Sequence, residues 1–169
     1  MKLSRLMAAL PSVESAPSSD PDITLITTDS REVQVGTLFV AYPGVSVDGH
    51  RFIQEAIARG AVAIVGEHDL AALDQNTQHA IRATPYLKVR NGREAFAYLH
   101  AAWNDFPARK LIMIGVTGTD GKTTTTNLIH SILTAAGSKA GMISTVNALI
   151  GDRALDTGLQ EDARLHRLG

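Results

Sequence analysis

The sequence predicts an α/β fold, organised as two successive blocks of alternating strands and helices. Three observations carry that prediction. Short β-branched and apolar runs alternate with stretches whose apolar residues recur at helical spacing. A continuous apolar run at 111–116 (LIMIGV) has the composition of a parallel strand buried on both faces, and it leads directly into a glycine-rich turn. The 169 residues, 44% hydrophobic and 20% charged, are enough to bury the core of one domain or of two small ones.

The elements follow in chain order. Lys2 and Arg5 precede a short apolar stretch (LMAAL, 6–10) that ends at Pro11. It is too short for the roughly 7–15 apolar residues of an export signal, and it reads as a small amphipathic helix. A Ser- and Pro-rich loop (12–21) precedes ITLIT (23–27), a strand starting near Asp22. The polar corner Asp29-Ser30-Arg31 breaks that run, and LFVA (38–41) is a second strand closed by Pro43-Gly44. Phe52, Ile53, Ala56 and Ile57 recur at helical spacing up to a stop at Gly60, and AVAIV (61–65) is a third strand. A short helix is expected between 67 and 83, a strand at 86–89, and a helix over 93–103 with Ala95, Phe96, Leu99 and Ala102 on one face. Asp105 and Pro107 end that helix and set a domain boundary near 108, giving domains 1–108 and 109–169. In the second block the strand 111–116 enters the glycine turn. A helix over 123–136 follows, with Leu128, Ile129, Ile132 and Leu133 in one stripe and Gly137 as its stop. Met142-Ile143 then opens another strand, so the block reads as a βαβ unit.

Composition narrows the function classes. Sixteen Lys and Arg against 17 Asp and Glu leave a net charge of −1, so no field of one sign draws the chain to nucleic acid or to an anionic membrane. The absence of cysteine removes disulfides, thiolate catalysis and sulfur-ligated zinc, and fits a reducing cytoplasm. No apolar run approaches the roughly 18 residues of a membrane span, so a soluble protein without membrane insertion is expected. Partners are then selected by a site, as small molecules are, and nothing in the sequence points to a protein partner.

The segment 115–124 (GVTGTDGKTT) is the most informative. Glycines let the backbone turn tightly and aim successive N–H groups at phosphate oxygens, and the start of the following helix adds positive partial charge. The nest comprises Gly118, Thr119, Asp120, Gly121, Lys122, Thr123 and Thr124 and suits a triphosphate, with Lys122 reaching the β and γ phosphates and the Thr123 hydroxyl ligating Mg²⁺. A turn that merely joins strand to helix is the plainer alternative. The buried strand before it, the amphipathic helix after it and Lys-Thr at the helix start favour phosphate binding. The first glycine of an ordinary P-loop would fall on Val116, whereas the glycines stand at 115 and 118.

That spacing, Gly-x-x-Gly-Thr-Asp-Gly-Lys-Thr-Thr, resembles the loop of the Mur ligases and of their relatives the folylpolyglutamate synthetases, which use ATP to activate a carboxylate. Asp120 stands where Asn is commoner. Thr28-Asp29-Ser30-Arg31, Gly36 through Ala41, Gly44, Asp48-Gly49-His50, Phe52-Ile53, Ala56 and Gly60-Ala61 are similar to the N-terminal domain shared by the MurE and MurF types. Gly141 through Val146 and Asp156-Thr157-Gly158 look like the MurE type. The resemblance runs from Met1 to about Leu159. It implies a MurE/MurF-like N-terminal α/β domain that holds UDP-MurNAc, followed by the start of a P-loop-type parallel α/β ATPase domain.

The activity implied is ATP-dependent ligation of a diamino acid to UDP-MurNAc-L-Ala-D-Glu through an acyl phosphate. A carboxylate is a poor electrophile until its oxygen becomes a good leaving group, and Lys122 and Mg²⁺ would offset charge on the phosphoryl group in transfer. Carried over by position, Thr28, Ser30, Val45, Ser46 and Val47 match the contacts to the UDP moiety. By residue type alone, Asp29-Ser30-Arg31 is a polar corner in which Asp caps a turn and Arg makes a surface pair. His50, beside Asp48 and Gly49, is a turn residue, and none of the six histidines has metal-ligand spacing.

After Leu159 the family pattern continues to two threonines and a proline, whereas this chain reads QEDARLHRLG (160–169). Residues 109–169 hold roughly two strands and their helices at about 30 residues per βαβ unit, fewer than a doubly wound sheet needs. The chain is therefore expected to be a piece of such a ligase, inactive alone. The alternative is a non-catalytic module that binds a UDP sugar or nucleotide. A P-loop GTPase or kinase would need a nucleotide-specificity motif that the sequence does not contain.

Overall fold

A computed structural model of the chain describes residues 1–14, 17, 19–151 and 153–156. The chain divides into two compact units, Met1–Ile112 and Met113–Gly169. The first is built on a sheet of four parallel strands in sequential order: β1 (Leu25–Thr27), β2 (Thr37–Val40), β3 (Ala61–Gly66) and β4 (Tyr86–Lys88). Parallel neighbours need crossovers, and α2 (Ile53–Arg59) joins β2 to β3 while α3 (Gln75–Ile81) joins β3 to β4. The helices α1 (Leu3–Met7) and α4 (Gly92–Trp103) complete the unit.

The two-residue alternation of a strand distributes the core between the two sheet faces. Leu38 and Val40 of β2 and Ala63 and Val65 of β3 pack in one cluster with Leu3 and Leu6 of α1 and Ala95 and Leu99 of α4. Phe39 and Ile64 belong to the other cluster, with Ile53 and Ala56 of α2 and Ile81 of α3. Burial on both faces is why these strands read as continuous apolar runs.

The helix ends are chemically specified. The Asp74 carboxylate accepts from the Asn76 and Thr77 amides at 3.0 Å to start α3, and the Asn91 side chain accepts from the Glu94 amide at 3.0 Å to start α4. Gly60 ends α2 in the left-handed region, at φ +109°.

The first strand is shorter than the sequence suggests. Asp22 pairs with Lys2, and the Ile23 amide donates to the Met1 carbonyl at 2.7 Å, so the N-terminal segment takes up hydrogen bonds that would otherwise extend the ladder.

In the second unit α5 (Lys122–Ala135) precedes an antiparallel meander of β5 (Gly141–Ile143), β6 (Asn147–Ile150) and β7 (Arg153–Asp156). Two local expectations are corrected here. The apolar run 111–116 lies outside any strand, with Ile112 94% and Met113 70% exposed. The Met142-Ile143 strand is present but pairs antiparallel with β6, not within a parallel βαβ unit. The physical reason is the same for both. A parallel strand is held by a ladder to a neighbour, and no described residue offers one to 111–116, whereas a three-residue turn brings β6 back beside β5. The tail 160–169 and Thr157-Gly158 lie outside the described residues.

Candidate functional site

In a parallel sheet, ligands bind beyond the carboxyl ends of the strands, where the connecting loops converge. Thr28 and Ser30 follow β1, and Val45, Ser46 and Val47 lie in the loop that follows β2, so the two groups stand at the same edge of adjacent strands.

The first corner is built by its own side chains. The Asp29 carboxylate accepts from the Arg31 amide at 2.9 Å, capping a short 3-10 turn over Ser30–Glu32, and it also pairs with the Arg31 guanidinium. The Arg31 side chain, then its amide, holds the Asp29 carboxyl down at about 2. Ser30 is buried, and its hydroxyl donates to Glu55 Oε2 on α2 at 3.1 Å. The Thr27 hydroxyl donates to Glu32 Oε2 at 2.7 Å and accepts from the Asp29 amide at 3.1 Å. Thr28, between these fastened residues, is half-buried.

The second loop is a closed excursion. Pro43 pairs with Asp48 across its base, and the Gly44 amide donates to the Val47 carbonyl at 3.0 Å. A Cβ on Gly44 would stand 2.6 Å from that carbonyl oxygen, so the close approach requires glycine. Closure turns the tip outward, leaving Val45 96% exposed.

Below that loop lies a group whose importance the sequence reading missed. Asp48, His50 and His68 place polar atoms within 4.8 Å of one another. His50 is buried and stacks on His68, with ring centroids 3.8 Å apart. Its Nδ1 lies 2.6 Å from Asp48 Oδ1, and its Nε2 accepts from the Glu67 amide at 2.9 Å. A carboxylate only accepts and an amide only donates, so Nδ1 carries the proton and Nε2 offers its lone pair. Neither nitrogen is left for a metal ion. Burial pushes the His50 ring below its ordinary value, against the pull of Asp48. The sequence carried a signal, Asp followed two residues later by a His. The donor that occupies Nε2 is an amide 17 residues away, which no local pattern reveals.

The phosphate-loop candidates lie in the second unit. Gly118 and Gly121 take φ of +150° and +73°, and Gly121 stands at the start of α5 with no side-chain cap. The first amides of α5 therefore have no partner in their own helix. The Lys122 ammonium donates to the Gly118 carbonyl at 2.6 Å and the Thr119 carbonyl at 2.9 Å, which holds it over the loop. Thr123 is half-buried on the first turn, and Thr119, Asp120 and Thr124 are exposed. A Cβ at Gly115 or Gly121 would meet no atom within 4 Å, so the space beside the loop is open. Uncapped amides and one cation suit phosphate oxygens, and the threonine hydroxyls beside them are oxygen ligands of the kind a hard divalent cation takes.

Comparison with known proteins gives consistent matches over both units. Residues 22–104 match the Mur ligase family, catalytic domain, and residues 116–166 match the Mur ligase middle domain. The chain is 42% identical over 154 residues to the UDP-N-acetylmuramoyl-L-alanyl-D-glutamate–2,6-diaminopimelate ligase of Geobacillus thermodenitrificans, covering 91% of this chain and 29% of the relative. It is 43% identical over 157 residues to the UDP-N-acetylmuramyl-tripeptide synthetase of Deinococcus radiodurans, covering 92% of this chain and 31% of the relative. Among solved structures, MurF from Acinetobacter baumannii superposes with a TM-score of 0.52 at 28% identity, over 78% of this chain and 27% of that one. The chain thus spans about 30% of the length of these relatives.

Proposed function

Because the chain belongs to the Mur ligase family, we propose that it carries the uridine-nucleotide-holding and phosphate-binding parts of an ATP-dependent amide ligase of peptidoglycan precursor synthesis. The ligation joins a diamino acid to UDP-MurNAc-L-Ala-D-Glu through an acyl phosphate, in the cytoplasm. Residues 1–108 form the nucleotide-sugar domain, in which Thr28, Ser30, Val45, Ser46 and Val47 meet the UDP moiety. Residues 109–169 belong to the ATP-binding domain.

The observation that carries the reading is the uncapped start of α5 beneath Lys122, with positive φ at Gly118 and Gly121. Gly118, Thr119, Asp120, Gly121, Lys122, Thr123 and Thr124 would hold the phosphates of ATP, their amides and hydroxyls replacing water around the anion. Thr123 would ligate Mg²⁺, which supplies charge neutralisation at the phosphates when bound. Lys122 is the catalytic candidate: it exchanges the Gly118 and Thr119 carbonyls for phosphate oxygens and stabilises negative charge that grows there.

A second reading, a non-catalytic UDP-sugar or nucleotide-binding module, draws support from core distribution. The first unit has two packed clusters, whereas Met142 and Ala148 are the buried apolar side chains among the described residues of the second. Calorimetric titration of the full chain with UDP-MurNAc-L-Ala-D-Glu and, separately, with ATP and Mg²⁺ separates the two. The ligase reading expects both to bind, with ATP binding lost in Lys122→Ala. Binding of the UDP ligand without ATP selects the module, and binding of neither defeats both.

A further inference from the structure

We propose that His50 is a positioning residue for the uridine nucleotide, fastening the loop that follows β2 to the carboxyl end of β3 and, through Glu67, to the start of α4. The inference rests on the reading that Val45, Ser46 and Val47 meet the UDP moiety. What it adds is the group that fixes their loop.

The fastening is a continuous chain of hydrogen bonds. At one end the Asp48 carboxylate, at the base of the loop, accepts from the His50 amide at 3.0 Å and from its Nδ1 at 2.6 Å. At the other, Nε2 accepts from the Glu67 amide at 2.9 Å, immediately after β3 ends at Gly66. Glu67 Oε1 then accepts from the Gly92 amide at 2.7 Å, one of the orphan donors at the start of α4. The Gly49 amide donates to the Tyr42 carbonyl at 3.0 Å, closing the loop from behind. His50 thus bonds through one nitrogen to the loop following β2 and through the other to the chain following β3, a ring with donor and acceptor on opposite sides, and His68 adds a longer contact to the same Asp48 carboxylate at 3.6 Å.

The arrangement requires the neutral ring with its proton on Nδ1. A second proton would turn Nε2 into a donor facing the donor amide of Glu67, a repulsive contact in a buried place. The titratable groups around the ring are Asp48 from its own loop, Glu67 and His68 from the segment after β3, and Tyr86 from β4, whose hydroxyl donates to the His68 carbonyl at 2.8 Å. Asp48 and Glu67 favour the charged ring, while burial and the stacked His68 oppose it, and burial prevails. The fold therefore favours neutral His50, so the fastening is complete above the ordinary histidine value and is lost as pH falls through the lower value of the folded chain.

The experiment uses the full chain as wild type, His50→Phe and His50→Gln. Phe keeps the buried volume and a ring to stack on His68, while Gln restores an acceptor within reach of the Glu67 amide. Binding of UDP-MurNAc-L-Ala-D-Glu is measured by calorimetry between pH 5 and 8. Histidine nitrogen shifts and exchange of the Gly44 and Gly49 amides, the two that bond across the loop, are read by NMR without ligand. Expected are an Nδ1–H tautomer for His50, wild-type affinity that falls on acidification, and about tenfold weaker binding with a flat profile for His50→Phe, the cost of losing one or two buried hydrogen bonds. Faster exchange at Gly44 and Gly49 in His50→Phe and partial recovery in His50→Gln complete the pattern. Should His50→Phe not fold, His50→Gln and the wild-type titration still decide the matter. An Nε2–H tautomer, or unchanged exchange in a folded variant, overturns the fastening. Wild-type affinity and pH profile in either variant overturn the role in nucleotide positioning. A wild-type chain that binds no uridine ligand overturns the nucleotide reading itself, a failure distinct from an unchanged loop.

Discussion

The buried hydroxyl of Ser30, just beyond β1, donates to Glu55 Oε2 on α2 at 3.1 Å, and the other oxygen of the same carboxylate accepts from Arg59 Nε at 2.9 Å. One carboxylate thus holds a candidate nucleotide contact on one side and a surface pair on the other. Glu55→Ala leaves the Ser30 hydroxyl without its acceptor and is expected to lower stability by about 1 kcal/mol. Arg59→Ala removes only an exposed pair and is expected to stay within about 0.5 kcal/mol of wild type. Urea unfolding of the two variants side by side checks the ordering. Equal midpoints would mean that the Ser30 bond adds nothing.

Gly60 terminates α2 at φ +109°, and a Cβ there would lie 2.9 Å from Val35 Cα and 3.0 Å from Val35 N. Backbone atoms cannot rotate away as the end of a flexible side chain can. Gly60→Ala therefore combines left-handed strain with overpacking, and a loss of about 1–3 kcal/mol is expected from each class of effect at sites of this kind. Thermal unfolding followed by circular dichroism is the measurement, and a shift of less than about 2 °C would contradict both contributions.

These two sites show what was legible in the sequence. Gly60 ended an apolar helical period and began a strand, a local signal, and the short apolar run 61–65 was legible as a strand, the one that β3 forms. The Asp29–Arg31 corner was legible too, since its partners are two residues apart. The run 111–116 was misread because its composition is that of a strand, while a strand exists only when a second segment supplies the ladder. His50 was read as a turn residue for a related reason. The turn it makes with Asp48 is local, and the contact that buries its function, the Glu67 amide, is not.

Asp29 offers a test of local electrostatics. Its carboxyl, held down by the Arg31 side chain and amide, titrates at about 2. The sign follows from linkage: a depressed carboxyl favours the folded chain when ionised, so its contribution is full above the ordinary carboxylate value and is lost as pH falls toward about 2. Arg31→Gln removes the guanidinium but keeps the amide, so the Asp29 value should rise part of the way back. Carbon-detected NMR titration of the Asp29 carboxyl reads this directly. No change would assign the whole depression to the backbone bond.

Lys122 donates to the Gly118 and Thr119 carbonyls, contacts that a phosphate must replace. The same ammonium then serves as cover for the loop in one state and as an anion contact in the other. If it reaches the β and γ phosphates, Lys122→Ala should weaken ATP binding by at least about tenfold, near 1.4 kcal/mol, while AMP binding changes far less. Thr123→Ala should reduce the Mg²⁺ dependence of ATP binding without removing the lysine effect. Neither substitution should alter the affinity for UDP-MurNAc-L-Ala-D-Glu, because the UDP contacts proposed at Thr28, Ser30 and 45–47 belong to the other unit. Calorimetric titrations with ATP, AMP and the UDP ligand distinguish these outcomes. Equal losses of ATP and AMP affinity in Lys122→Ala would show that the lysine holds the loop together and does not read the terminal phosphates.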